Sequence, residues 1–273
     1  MWARPCLLAV LLIAAGRPAA ALPPACDTER WTLLHPMPAW CLEPIDTDRP
    51  HRTDTPHTVA PGHLQVETGV VAYEAPRDGT SPRVHTLRLL ETLVKIGLHR
   101  RIDAQVGYTA VTVRHQAAGP DDVAAPESLY LRLKLNLIGP GAPFSVTVAP
   151  VLNVPLDGRT VEGGGTLMVG AELPGRLELE VNGSAFRQQR EAGRRWVFVP
   201  SAAVTRALVG RLAAFVELYG EAYDGGGART GATFDTGLLY WVSRDTMLDA
   251  GVYVGLTKNV PPATVFLGLS TRI

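Results

Sequence analysis

Residues 129–137 read LYLRLKLNL. Leucine holds every odd position from Leu129 to Leu137, while Tyr130, Arg132, Lys134 and Asn136 hold the even ones. A period of two sends the two sets to opposite faces of an extended strand, and no helix produces it. The stretch is therefore a strand with one apolar face and one charged or polar face.

The same alternation recurs along the chain. Leu248, Ala250, Val252, Val254 and Leu256 oppose Asp249, Gly251, Tyr253, Gly255 and Thr257. Val265, Leu267, Leu269, Thr271 and Ile273 oppose Phe266, Gly268, Ser270 and Arg272. Leu212, Ala214, Val216 and Leu218 oppose Arg211, Phe215, Glu217 and Tyr219. Read throughout, the pattern predicts strands at 63–74, 84–98, 102–114, 128–138, 144–156, 164–173, 176–187, 196–206, 209–222, 230–242, 247–258 and 263–273. Connections alternate in length. Those at 75–83, 115–127, 157–163, 188–195 and 223–229 are longer and polar, whereas His99 to Arg101, Pro174 with Gly175, and Ser243 to Thr246 are tight. Long loops thus gather at one rim and short turns at the other, as in an up-and-down meander.

Alternation alone does not say whether the apolar face meets a core or lipid. Length decides it, because strands of this size exceed the soluble mode of about five or six residues and match the roughly nine to eleven that cross a tilted bilayer. Backbone groups in hydrocarbon must all be paired, which strands achieve only by closing into a barrel. The expected fold is all-β: a closed antiparallel transmembrane β-barrel of about 12 strands. Its polar face, expected to line the lumen, carries Glu67, Glu91, Lys95, Asp103, Arg132, Lys134, Glu172, Glu178, Glu180, Arg211, Glu217, Asp235 and Asp249. Arg88 falls on the apolar side and breaks the pattern locally. Twelve strands at 4.8 Å spacing and 40° tilt give a backbone radius of about 12 Å, so the bore suits small solutes. Lumen positions Gly97, Gly107, Gly170, Gly237, Gly251, Gly255 and Gly268 leave room on the wall, to seat rings such as Tyr219 or Tyr253 or to let the sheet bend.

Composition agrees with export and a membrane. Lys+Arg and Asp+Glu both number 26, which removes support for nucleic-acid binding. Charged residues are 19%, and 27 glycines with 22 prolines favour turns over long helices. Residues 1–21 read as an export signal: Arg4, an apolar run from Cys6 to Ala15, then Ala19 and Ala21 placed for cleavage. Residues 22–62 are proline-rich and aperiodic, an extended periplasmic segment before a barrel over 63–273. Cys26 and Cys41 form an even pair in an exported chain, which invites a disulfide.

At Asp48 the chain reads DRPHRTDTPHTVAPGHLQVETG, and further on LRLLETLVKIGL from Leu87, LDAGVYVGLT from Leu248 and FLGLSTRI at the end. This resembles the bacterial outer-membrane transporter family named for the MetA pathway of phenol degradation. The matching positions are Asp48, Arg49, Pro50, Thr53, Thr55, Pro56, Gly62, Gln65 and Glu67. The resemblance spans about 48–273 and implies an outer-membrane barrel with a transport role for small solutes, aromatic ones among the candidates, and it sharpens the fold more than the substrate. Outer-membrane barrels usually end in an aromatic residue read by the assembly machinery, and Ile273 departs from that, which implies a weaker insertion signal. The segment from Asp48 to Gly62 either enters the periplasmic mouth, where Arg49 meets the acidic wall, or remains a solvated leader.

Four readings stand at this point: a small-solute channel, a plugged structural barrel, an outer-membrane lipid hydrolase, and a secreted soluble barrel holding an apolar ligand. The hydrolase needs a serine activated by histidine on the lipid-facing wall. His85, His115 and Ser128 lie near the long-loop rim, but no motif links them, and His85 shares parity with Glu91. No phosphate loop, GxSxG sequence or metal cluster is present, so no catalytic residue, metal or cofactor is expected. The expected partners are outer-membrane lipid, the barrel-assembly machinery during insertion, and a small solute in the lumen.

Overall fold

A computed structural model of the chain describes Cys26, Arg30 and residues 31–76, 83–116, 119–139, 142–190, 193–224 and 230–273. The expected export signal lies outside these residues. The strands are β1 (Leu64–Glu74), β2 (Val84–His99), β3 (Ile102–Gln116), β4 (Asp122–Ala124), β5 (Ser128–Ile138), β6 (Ser145–Pro155), β7 (Glu162–Leu173), β8 (Leu177–Arg190), β9 (Gly193–Val209), β10 (Leu212–Tyr223), β11 (Gly231–Trp241), β12 (Thr246–Gly255) and β13 (Ala263–Arg272). Sequence neighbours pair antiparallel, and β13 returns to β1, so the sheet closes. The three-residue β4 sits outside the ring, paired with Thr112 to Arg114 of β3, and the other twelve strands form the barrel. β3 and β5 pair from Ile102 opposite Leu135 to Gly107 opposite Tyr130.

Burial is inverted relative to a water-soluble fold. Lys95 and Lys134 are among the largest fully buried side chains, with Gln65, Glu67, Gln105 and Glu217, while Leu167, Val216, Leu218, Leu238 and Leu267 stand exposed on the exterior. Charges inside and leucines outside make physical sense only where the outer solvent is hydrocarbon. Residues 30–45 lie at the rim of the tight turns, where Leu33 N–H donates to Leu98 O (2.9 Å) and Ile45 N–H to Arg244 O (2.8 Å).

Three expectations are corrected. Arg88 does not face lipid. β1 gains a residue against β13 between Gly69 and Val71, and Leu90 beside it on β2 has φ +54°. With Gly69 opposite Glu91 and Val71 opposite Leu89, the face reverses along β1 and β2, and in step along β3, where Thr109 meets Glu91 and Val111 meets Leu89. Arg88 consequently turns inward and pairs with Glu74 (2.9 Å) and Glu91 (3.1 Å). The same reversal puts His85 outside, where its Nδ1 lies 2.6 Å from the Tyr73 hydroxyl. Second, Arg211 is not on the lumen wall: it is exposed in the turn before β10, donating to Val242 O (2.6 Å). Strand geometry starts only at Leu212, after Gly210 at φ +58°. Third, 188–195 is not a long loop, because β8 runs to Arg190 and β9 starts at Gly193, with Gln188 opposite Arg195 and Arg190 opposite Gly193.

An exterior that contacts hydrocarbon will not accept charge. Leu218→Arg, on the outer face midway along β10, is expected to destabilise the barrel by about 2–4 kcal/mol in lipid vesicles, read as a lower urea midpoint. A neutral effect there would place this face in water.

Candidate functional site: an ionic plug in the barrel lumen

Residues 46–59 rise from the periplasmic rim, cross the lumen and descend on the far side. Among the described residues the segment has no hydrogen-bonded partner strand. Its backbone and side chains are instead satisfied by the wall, as buried polar groups must be.

Asp48 is the centre. Its carboxylate takes Lys95 Nζ (2.6 Å) and Lys134 Nζ (2.6 Å), together with the Arg132 guanidinium and the Thr55 N–H (3.1 Å). Lys95 also contacts Glu67, whose other bonds come from the Asp48 N–H (3.1 Å), the Arg49 N–H (3.1 Å) and Gln65 Nε2 (2.8 Å). Arg132 reaches Asp54 as well (2.6 Å). Burial alone would raise the Asp48 pKa, but the charges of Lys134, Lys95 and Arg132 outweigh it and hold the carboxyl far below the usual range.

The rest of the motif binds in turn. Arg49 forks onto Asp249 (2.9 and 3.3 Å), and its guanidinium lies against Gly69 and Gly268, where an added Cβ would collide with it. Pro50 O accepts the Tyr253 hydroxyl (2.6 Å). Thr53 N–H donates to Glu217 (2.6 Å), and so does its hydroxyl, while Arg52 N–H donates to the other carboxylate oxygen (2.9 Å). Pro56 O accepts from Asn136 Nδ2 (3.2 Å) and from the Thr147 hydroxyl, and its ring fills the notch left by Gly170. Val59 N–H meets Asp103 (3.0 Å). The descent ends against Gly97, where a Cβ would strike Ala60 and Val59. Gly62, at φ +77° and packed on Pro36, turns the chain into β1.

The wall is divided. Between β1 and β6 it is ionic and polar. On β10 to β13 it also carries an apolar cluster at the Ile45 end, beside the carboxylates Glu217, Asp235 and Asp249: Phe215, Leu239, Met247 and Phe266 pack around Ile45, and Trp241 Nε1 donates to Ile45 O (3.2 Å). Gly237 and Gly251 seat the rings of Phe215 and Phe266, not those of Tyr219 or Tyr253. His51 bridges the two halves, edge-on to Phe215 at 5.4 Å with Nε2 3.5 Å from Glu180. Asp235 faces Glu217 across β10 and β11, and both carboxyl groups are buried. Glu172 and Glu178 face each other near the periplasmic rim, away from the Asp48 network.

Outside the lumen, Cys26 and Cys41 form a disulfide (S–S 2.08 Å) that packs with Met37 and Leu42. His85 and His115 lie on the exterior with ring centroids 6.1 Å apart, whereas Ser128 lines the interior, so the wall separates the candidate hydrolase residues. Sequence reading missed Asp46, Asp54 and His57, and also Gln105 and Thr147 on the wall. Their contacts span the lumen, and only the density of Asp, Thr and Pro before the first strand hinted at them.

Above the plug, toward the longer loops, the lumen opens into a vestibule of about 570 Å3. Its floor is made by Arg49, His51, Arg52 and Asp54, and its wall includes Tyr130, Phe186, Tyr219 and Tyr223.

At the periplasmic end of the plug, His57 Nδ1 is 2.7 Å from Asp46 Oδ2, both about half exposed. Burial opposes charge on His57, but the hydrogen bond and charge of Asp46 exceed it and raise the pKa above 6.5. The contact is therefore fully present below pH 6.5 and is lost as pH rises through the raised value. Trypsin cleavage after Arg52 in the folded, detergent-solubilised barrel is expected to quicken over that rise relative to a His57→Gln variant. A constant ratio between the two would show that the pair does not hold the plug.

Solved structures share this architecture. The NanC porin covers 77% of the chain with 100% of its own length, at 11% identity and TM-score 0.53. An outer membrane channel from Pseudomonas putida F1 covers 77% with 95% of its own length, at 11% identity and TM-score 0.56. No curated protein matches by sequence. The fold is that of an outer-membrane β-barrel. Residues 47–273, from the foot of the plug to the last strand, match the family described as "Putative MetA-pathway of phenol degradation", and the chain belongs to that family.

Proposed function

We propose that the protein is an outer-membrane channel for small solutes whose lumen is closed, in the state described, by its own residues 46–59. The observation that carries this reading is the docking of that segment through charge pairs inside a barrel whose exterior is apolar. A structural plug built for permanence would bury apolar surface, which loses stability on exposure to water. Charge pairs lose much less when water enters, because separated ions are solvated. Similarity to a porin and to an outer membrane channel supports passage as the activity, and the family description favours aromatic solutes. The tyrosine- and phenylalanine-lined vestibule fits solutes of that class, because aromatic rings stack on one another and on cations.

Removing Asp48 leaves Lys95, Lys134 and Arg132 crowded without their shared anion. Asp48→Ala is expected to raise single-channel conductance in planar bilayers several-fold and to shift selectivity toward anions. Arg49→Ala, which frees only Asp249, is expected to give a smaller rise in the same direction. Unchanged conductance in both variants, with both correctly folded, would remove the segment as the closing element.

A further inference from the structure

The lumen cations described above are paired: Arg49 with Asp249, Lys95 with Asp48 and Glu67, Lys134 with Asp48, Arg132 with Asp48 and Asp54, and Arg88 with Glu74 and Glu91. Arg52 is different. Among the described residues no carboxylate lies within ion-pair distance of its guanidinium, which instead sits over the Tyr219 ring, 5.7 Å from the centroid. The group stands at the top of the plug and lines the vestibule. Its backbone is fixed, since the Arg52 N–H is held by Glu217 (2.9 Å) and the Pro50 carbonyl by Tyr253 (2.6 Å).

The guanidinium is exposed to the vestibule with no anion beside it, and its planar fork, free to take a ligand, matches a carboxylate. The surrounding vestibule supplies aromatic faces from Tyr130, Phe186 and Tyr219. It also supplies two carboxylates, Glu91, held by Arg88 (3.1 Å), and Glu221, which accepts the Tyr223 hydroxyl (2.9 Å). Those negative charges disfavour a ligand with more than one of its own. We propose that Arg52 is the anion-recognising residue of an outer-vestibule subsite for small aromatic monocarboxylates, with the ring of the ligand lodged among Tyr130, Phe186 and Tyr219. The proposal rests on the channel reading for its biological use, but binding is measurable without passage.

The test is calorimetric titration of the folded, full-length protein in detergent with benzoate, benzyl alcohol and phthalate, folding being checked by heat-dependent gel mobility. Benzoate is expected to bind more tightly than the neutral alcohol or the dianion. Arg52→Gln should weaken benzoate about tenfold and leave benzyl alcohol unchanged, because its side chain does not hold the plug. Arg52→Lys, which keeps the charge and loses the fork, should fall between. Equal benzoate affinity in the wild type and Arg52→Gln overturns the proposal, as does preference for the alcohol or for phthalate. Vesicle swelling with the Asp48→Ala variant tests the channel separately: swelling without benzoate binding sinks the subsite alone, and benzoate binding without swelling sinks the channel alone.

Discussion

One carboxylate, Asp48, is shared by Lys95, Lys134 and Arg132 in a space from which solvent is almost absent. Three like charges this close repel, and each has lost its hydration. A single anion cannot cancel three cations. The deficit is met by Glu67 and Asp54, and by the Thr55 carbonyl, which accepts from Lys134 (2.6 Å). Breaking a buried pair by removing one partner typically costs about 3–5 kcal/mol, because the other is left charged and dry. The wall of the barrel and the segment inside it are therefore each incomplete alone. The wall presents a cationic cluster that needs an anion, and the segment presents the anion together with backbone N–H groups that need acceptors.

The barrel makes such an interior tolerable. Closure pairs each of the twelve barrel strands with two neighbours, so backbone hydrogen bonding does not depend on what fills the lumen. Side chains pointing inward are free to be ionic, and those pointing outward have only to be apolar. Glycine then shapes the interior by absence. Gly69 and Gly268 make the slot for the Arg49 guanidinium, Gly170 receives the Pro56 ring, and Gly97 lets the Ala60 backbone lie flat against β2. The segment mirrors the division of the wall: Asp48 and Thr55 face the ionic strands, while Ile45 and His51 reach the aromatic ones.

The twelve-strand plan was legible because alternation over ten or more residues has one physical meaning. The facing of most charges followed from it, as with Glu67, Lys95 and Lys134. Arg88 marked the place where the rule broke, but its cause, a reversal shared by three adjacent strands at Val70, Leu90 and Ala110, depends on pairing that no local window contains. The reversal also moved His85 from one face to the other. The plug was only half legible. The Asp, Arg, Pro and Thr residues stood out as a motif, yet a segment without period makes contacts fixed wholly by what surrounds it. Asp48 and Lys134 are 86 residues apart, and Thr53 and Glu217 are 164 apart.

Attachment at both ends decides how such a plug behaves. On one side Ile45 is tied to the turn at Arg244, and behind it the disulfide between Cys26 and Cys41 closes a compact unit at the rim, where Met37 N–H meets Pro61 O (3.0 Å). On the other side Gly62 N–H is bonded to Gly97 O (2.9 Å) and leads directly into β1. A segment held so cannot diffuse away when its charge pairs part, and it remains at high effective concentration beside the wall. On the channel reading proposed above, closing is intramolecular, which favours the closed state. On that same reading, the energy separating closed from open is set by a few buried charges on Asp48, Glu67 and Glu217 rather than by the barrel, whose strands pair with one another and not with the plug.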